Sequence, residues 1–189
     1  LPNNEIKLEV GRDESLAALK EAAQYKNYIV LLFLNDTNDA EASKDNVLRH
    51  GVVAQIVYDM PVVKNIHKVK LNGIIRAQVN EFIDFKPFIQ VDVTTLPSVS
   101  ENIDEELAAV RLLVEEMKKE AGLLNNNQEL INTISKGVTA DKLTDLLAFN
   151  LNLDINNKIK YLQTTSVFAR LKYMLEDVKK EKYILTIEQ

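Results

Sequence analysis

The residues able to do chemistry are few. His50 and His67 are the only imidazoles, and the chain has no cysteine for thiol catalysis, disulfides or zinc ligation. Neither histidine has a second ligand at helical spacing. Each falls at a strand margin, so both read as hydrogen-bonded or solvent-facing structural residues. A serine nucleophile with a histidine base needs a histidine placed by an elbow or a strand end, and no such elbow is present. Glycines occur at positions 11, 51, 73, 122 and 137 and form no Gly-x-x-x-x-Gly-Lys-Ser/Thr loop, so a phosphate cradle of that type is absent. The acidic pair Glu115-Glu116 falls on the outer face of an amphipathic helix and reads as solvated surface. No catalytic, cofactor-binding or metal-ligating residue is expected.

Binding residues stand out more clearly. Met60-Pro61-Val62-Val63 is apolar where a hairpin tip is normally polar. Exposed, it would offer unfolded segments an adaptable apolar patch, with Tyr58 at its base as an aromatic anchor. Folded back onto the early helix or the helical half, the same residues would be core. The last helix gives a second candidate. Leu171, Met174, Leu175 and Val178 make an apolar stripe whose first half suits packing on other helices. At and beyond its end, Val178, Tyr183, Ile184, Leu185 and Ile187 have little bundle left to meet and are candidate assembly contacts.

The elements that must position these residues divide near Pro97. Residues 1–97 read as strands around one helix, and residues 98–189 read as helix throughout. The early helix spans about Asp13 to Lys26, capped by Asp13 or Ser15, with Leu16, Leu19 and Ala23 inward. Tyr28 to Leu34 is a continuous apolar run that suits a buried strand, and the polar stretch Asn35 to Asn46 reads as a mobile loop. Val52, Ala54, Ile56 and Tyr58 share one strand face, opposite Val53, Gln55, Val57 and Asp59. A turn around Met60 to Asn65 returns through Ile66 to Leu71. Asn72-Gly73 then signals a tight turn into a third strand, Ile74 to Ile83. The region Phe85 to Val93 closes the sheet, and Leu96 to Glu101 reads as a linker.

Five helices follow. The first repeats Ile103, Leu107, Val110, Val114, Met117 and Ala121 inward, with Ser100 or Asn102 as cap and Gly122 past its end. Gln128 to Lys136 is stopped by Gly137. Thr139 caps a helix facing inward through Leu143, Leu146, Leu147 and Leu151, and Asp154 caps one through Ile155, Ile159 and Leu162. The last runs from Ser166 toward Leu185. The run Asn125-Asn126-Asn127 reads as compositional drift. The expectation is α+β: a small antiparallel sheet or partial barrel with one helix, then an all-helical bundle.

Composition fits an ordinary globular chain of 189 residues, 46% hydrophobic and 27% charged. The net charge of −5 comes with both signs interleaved, so no footprint for nucleic acid is visible. No apolar run is long enough for a membrane helix, and no signal peptide is expected. The absence of cysteine fits a reducing, cytoplasmic setting. The start at Leu1-Pro2 and the apolar end at Ile184 to Ile187 suggest a piece of a longer protein.

Several short segments, in order, resemble the amino-terminal region of the Lon ATP-dependent proteases. Val10-Gly11-Arg12-Asp13-Glu14-Ser15 is similar to that family's Val-Gly-Arg-x-x-Ser turn into its first helix. Gly51-Val52-Val53-Ala54 and Gly73-Ile74-Ile75-Arg76-Ala77 match its strand start and its Gly-x-x-Arg-Ala segment. Asp141 to Ala148, Asn152-Leu153 and Arg170-Leu171 follow its helical pattern. The family's opening strand, rich in Leu and Pro, is only partly present before Glu5. The resemblance implies a pseudouridine-synthase-associated (PUA-like) fold in the sheet half. It also implies a non-catalytic region that recognises unfolded or degron-bearing proteins and supports hexamer assembly in protein quality control. The parent would be a homohexameric cytoplasmic serine protease using ATP and magnesium, with its Ser-Lys dyad and ATPase outside this chain. No nucleic acid or membrane partner is expected. An RNA-binding module of the same fold and a pure oligomerisation scaffold stand as alternatives.

Overall fold

Strand and helix segregate along the chain. The computed structural model describes residues 1–34 and 46–188, except for the side chains of Leu34 and Ala121. The loop expected over Asn35 to Asn46 therefore lies, apart from Asn46, outside the described residues. Two compact units result, Pro2–Pro97 and Ser98–Gln189 with Leu1.

The sheet unit is built on two long strands. β3 (Val47–Val63) and β4 (Ile66–Asp84) pair antiparallel along most of their length. One edge of β3 holds β2 (Tyr28–Leu34). The far edge of β4 is shared by β1 (Glu5–Val10), against His67 to Asn72, and β5 (Gln90–Leu96), against Arg76 to Asp84. Alternation places Val52, Ala54 and Ile56 with Val69 and Leu71 on the buried face, where α1 (Asp13–Ala22) adds Leu19 and Ala22.

Asn72-Gly73 is not a turn. It lies inside β4, at a register shift where Val53 opposes Ile75 but Ala54 opposes Gly73, leaving Ile74 as an extra residue. The bulge separates the stretches held by β1 and β5. The Gly73 N–H and C=O are taken by Asn4 O and Asn3 N, each at 2.9 Å, which removes any need to fold back there. The hairpin turn is Lys64-Asn65, with Asn65 in the left-handed region at φ 63°. At Gly51 the close approach is real: an added Cβ would stand 2.4 Å from Leu31 O on β2.

Three other sheet-unit expectations change. Arg12, not Asp13 or Ser15, occupies the cap position of α1, without a side-chain cap. The helix stops at Ala22 because Lys26 and Asn27 both adopt positive φ, which helical backbone cannot continue, and Ala22 rather than Ala23 is buried. β2 is half-exposed rather than buried: among the described residues it pairs on one side only, and no side chain from Tyr28 to Phe33 is fully covered.

In the helical unit α2 (Ile103–Lys119), α3 (Gln128–Ser135), α4 (Ala140–Asn150), α5 (Ile155–Gln163) and α6 (Val167–Glu188) enclose one core. Asn102, Asn127, Thr139 and Asp154 each accept a first-turn N–H, satisfying helix-start donors. Glu106 turns inward to accept from the Ser100 hydroxyl at 2.7 and 2.8 Å and from Asn102 N–H at 3.0 Å. With Glu106 inside, α2 buries Ala109, Leu113 and Met117, and the expected inner residues Ile103 and Leu107 are exposed. Ile155 is exposed too, and α5 buries Tyr161 and Leu162. The expected linker is tied down, since Val99 N–H donates to Thr165 O and Val167 N–H to Val99 O, both at 2.9 Å.

Candidate functional site

The polar groups that could do chemistry are engaged in holding the fold. His67 Nδ1 and Asp59 Oδ1 are 2.6 Å apart across β3 and β4, a cross-strand pair. Among the described residues no cluster of three or more His, Asp or Glu side chains could hold a metal ion. Inside the helical unit, buried Arg170 donates from Nη2 to Asp141 Oδ1 at 2.6 Å and to Ser98 Oγ at 3.0 Å, and its Nη1 lies 3.8 Å from buried Asp145. The Tyr161 hydroxyl donates to the Asp177 carboxylate, and Lys160 Nζ stands 3.6 Å from the same oxygen. Burial first, and that hydrogen bond second, push the Tyr161 pKa well above its ordinary value. Such a phenol stays protonated, which suits it to link α5 to α6 rather than to exchange protons.

The arm formed by the ends of β3 and β4 has a different character. β2 reaches only as far as Gln55, so the edge of β3 from Tyr58 to Val63 is paired with β4 alone among the described residues. Met60, Val62 and Val63 are 48%, 51% and 58% exposed, Pro61 is exposed as well, and Tyr58 is half-buried at the base. These residues lie within the strand, not in a turn as expected. Pro61 is tolerated there because an edge strand does not need every N–H. Sequence reasoning missed two companions, Val57 and Ile66, both exposed. Val57 falls at the register shift between Ile56 and Tyr58, on the face that alternation sets opposite Ala54 and Ile56, and Ile66, directly opposite Val63, was legible as the other arm of the turn. An apolar strand edge left open is a template for another extended chain.

The assembly candidates separate. Val178 is 3% exposed and belongs to the helical core, so it is corrected from contact to packing residue. Leu185 also packs against that core. Tyr183, Ile184 and Ile187 are exposed near the end of α6. A cavity of about 660 Å³ between α1 and the sheet, lined by β2 with Leu8, Val69 and Leu71, is a further feature that the sequence reading did not anticipate.

Comparison with known proteins assigns the family. Residues 1–180 match the family model of the ATP-dependent protease La (LON) substrate-binding domain. The chain belongs to that family. A Lon protease of Aster yellows witches'-broom phytoplasma (strain AYWB) is 28% identical over 192 residues, covering 100% of this chain and 24% of that protein. A Lon protease of Bacillus thuringiensis (strain Al Hakam) is also 28% identical, over 189 residues, again with 100% of this chain and 24% of its own length. The chain thus spans about a quarter of the length of the curated relatives that it matches. Its fold is that of the N-terminal domain of Mycobacterium avium complex Lon protease, with TM-score 0.69, 20% identity, and 95% and 91% of the two chains covered. The Lon N-terminal domain protein from Xanthomonas campestris gives TM-score 0.63 at 17% identity, covering 93% and 90%. Among the described residues no helix is long and apolar enough to cross a membrane.

Proposed function

We propose that this domain captures unfolded or degron-bearing polypeptides on the apolar arm, Val57 to Ile66, and hands them to an ATP-driven protease ring. The observation that carries this reading is the run of exposed apolar side chains along a strand edge in a family described by substrate binding. Met60 and the valines supply contacts that do not depend on one substrate sequence. Each is worth little alone, since even complete burial of such a side chain yields about 1.5–3 kcal/mol. Several arms in one ring would convert weak binding into useful avidity. The parent is then a homohexameric cytoplasmic serine endopeptidase using ATP and magnesium, acting in protein quality control. Tyr183, Ile184 and Ile187 on α6 are the surface for assembly or for the rest of that protein.

Titrating the chain with a chemically unfolded model protein and with its folded form tests the capture role. Selective binding of the unfolded form is expected, and Val62→Asp weakens it about tenfold, because losing about 1.4 kcal/mol of apolar contact has that effect. Equal affinities for the two forms, or an unaltered Val62→Asp variant, would remove the arm from substrate capture.

A further inference from the structure

The charge of the arm runs against that of the chain around it. The sequence as a whole holds 23 Lys and Arg against 28 Asp and Glu. From Val57 to Lys70 the balance is reversed, with Lys64, Lys68 and Lys70 facing a single acid, Asp59. Two of these four are already satisfied. Lys70 pairs with Glu5 at 3.2 Å, and Asp59 meets His67 at 2.6 Å. Lys64 and Lys68 are exposed and make no ion pair with any described residue. Glu9 lies opposite Lys68 in the register yet forms no ion pair with it within 4.0 Å. Met60 is the direct cross-strand partner of Lys68, and Lys64 sits in the turn between Val63 and Ile66.

We propose that the arm selects extended apolar segments that carry aspartate or glutamate side chains, meeting them with Lys64 and Lys68. The inference rests on the capture role of the arm and names the chemical class that it takes. A segment lying on Met60, Val62 and Val63 strips water from the two neighbouring ammonium groups. That step is unfavourable unless a carboxylate replaces the water, and it is worse for a segment bearing its own lysines. Charge complementarity therefore decides among segments of equal hydrophobicity. A nucleic acid fits this surface poorly, because two free cations among six exposed apolar residues fall short of the wide basic stripe that a phosphate backbone engages.

Three amidated, fluorescently labelled peptides with one apolar core flanked by Asp, Ser or Lys test the proposal by anisotropy against the 189-residue chain. The expected order is Asp tighter than Ser tighter than Lys, with roughly a tenfold span that shrinks as salt rises from about 50 to about 300 mM. Reversing the charges with Lys64→Glu plus Lys68→Glu inverts the order, and Lys64→Gln plus Lys68→Gln flattens it. Equal binding of all three peptides, or an order that the charge reversal leaves alone, overturns the selectivity and leaves the arm as a purely apolar dock. Failure of all three to bind overturns the capture role with it. Single-stranded RNA that displaces the Asp peptide at low salt would reassign the two lysines to phosphate.

Discussion

Tyr161 shows how a single buried side chain contributes to the pH response of the molecule. Its hydroxyl is held protonated by burial and by donation to Asp177, so its folded pKa lies far above the ordinary value of 10.0. The unfolded chain releases that proton near pH 10 while the folded chain keeps it, and stability contributed by the phenol is full below that point and falls as pH rises past it. Alkaline unfolding, followed by circular dichroism, is expected to lose up to about 1.4 kcal/mol per pH unit from this group. Tyr161→Phe is less stable at neutral pH by about 1–3 kcal/mol, because Asp177 loses its donor, yet it declines less steeply above pH 10. Gly51 makes a steric point. Its Cβ position lies 2.4 Å from a carbonyl oxygen of β2, whereas that of Gly122 has only a flexible Leu185 methyl at 3.8 Å. Gly51→Ala is expected to lower the urea midpoint by the equivalent of about 1–3 kcal/mol, with Gly122→Ala nearly neutral. Asparagine supplies the third residue-scale lesson. Asn125 and Asn126 adopt positive φ and Asn127 caps α3, so the run that reads as compositional drift by its frequency is a chain reversal, built from the residue type that tolerates left-handed backbone.

Elements are legible where a local signal and the tertiary need coincide. Caps at Asn102, Thr139 and Asp154 are readable because the donor they satisfy is three residues away. Asn72-Gly73 misleads because the tight-turn signal is equally compatible with a bulge, and only the partners β1 and β5 decide between them. The face of α2 misleads for a different reason. The apolar period places Ile103 and Leu107 inside, but Glu106 is bonded inward and rotates the helix, which no count of apolar residues reveals. On α6 the same period holds through Val178, and beyond it the side chains diverge: Leu185 packs, while Tyr183, Ile184 and Ile187 do not. The assembly role proposed for this end makes a defined prediction. Ile184→Asp with Ile187→Asp leaves the thermal midpoint of the isolated chain within about 2 °C, since neither residue is in the core and substitutions at such surface positions shift stability little. In the intact protein the same pair shifts the sedimentation profile toward smaller species. An unchanged profile would confine this end of α6 to a surface without partners.

At the scale of the whole molecule, the two units divide the work that the proposed function requires. Each has its own apolar core, so exposed positions on one can change without unfolding the other. The family is legible from short motifs in order, and two of them have physical reasons: Gly51 for strand approach, and Asp141 with Arg170 for an ion pair to a buried guanidinium. The candidate arm is legible as an apolar tip, but its edge is not, because where β2 stops is a property of pairing rather than of the β3 sequence. The decisive prediction concerns the parent protease that the proposed function implies. If the arm captures substrate before any chemistry, its contacts act on binding and not on bond cleavage. Val62→Asp with Val63→Asp should then raise KM for an unfolded protein substrate about tenfold or more, with several copies in the ring compounding the loss. The kcat at saturating substrate and the cleavage of a short peptide that needs no capture should stay within about twofold, because neither depends on this surface. A fall in kcat for both substrates would place the arm in assembly, since a disordered ring loses every activity together. Degradation of the unfolded protein with unaltered KM would leave the open strand edge without a role in capture and direct attention to the cavity beside α1.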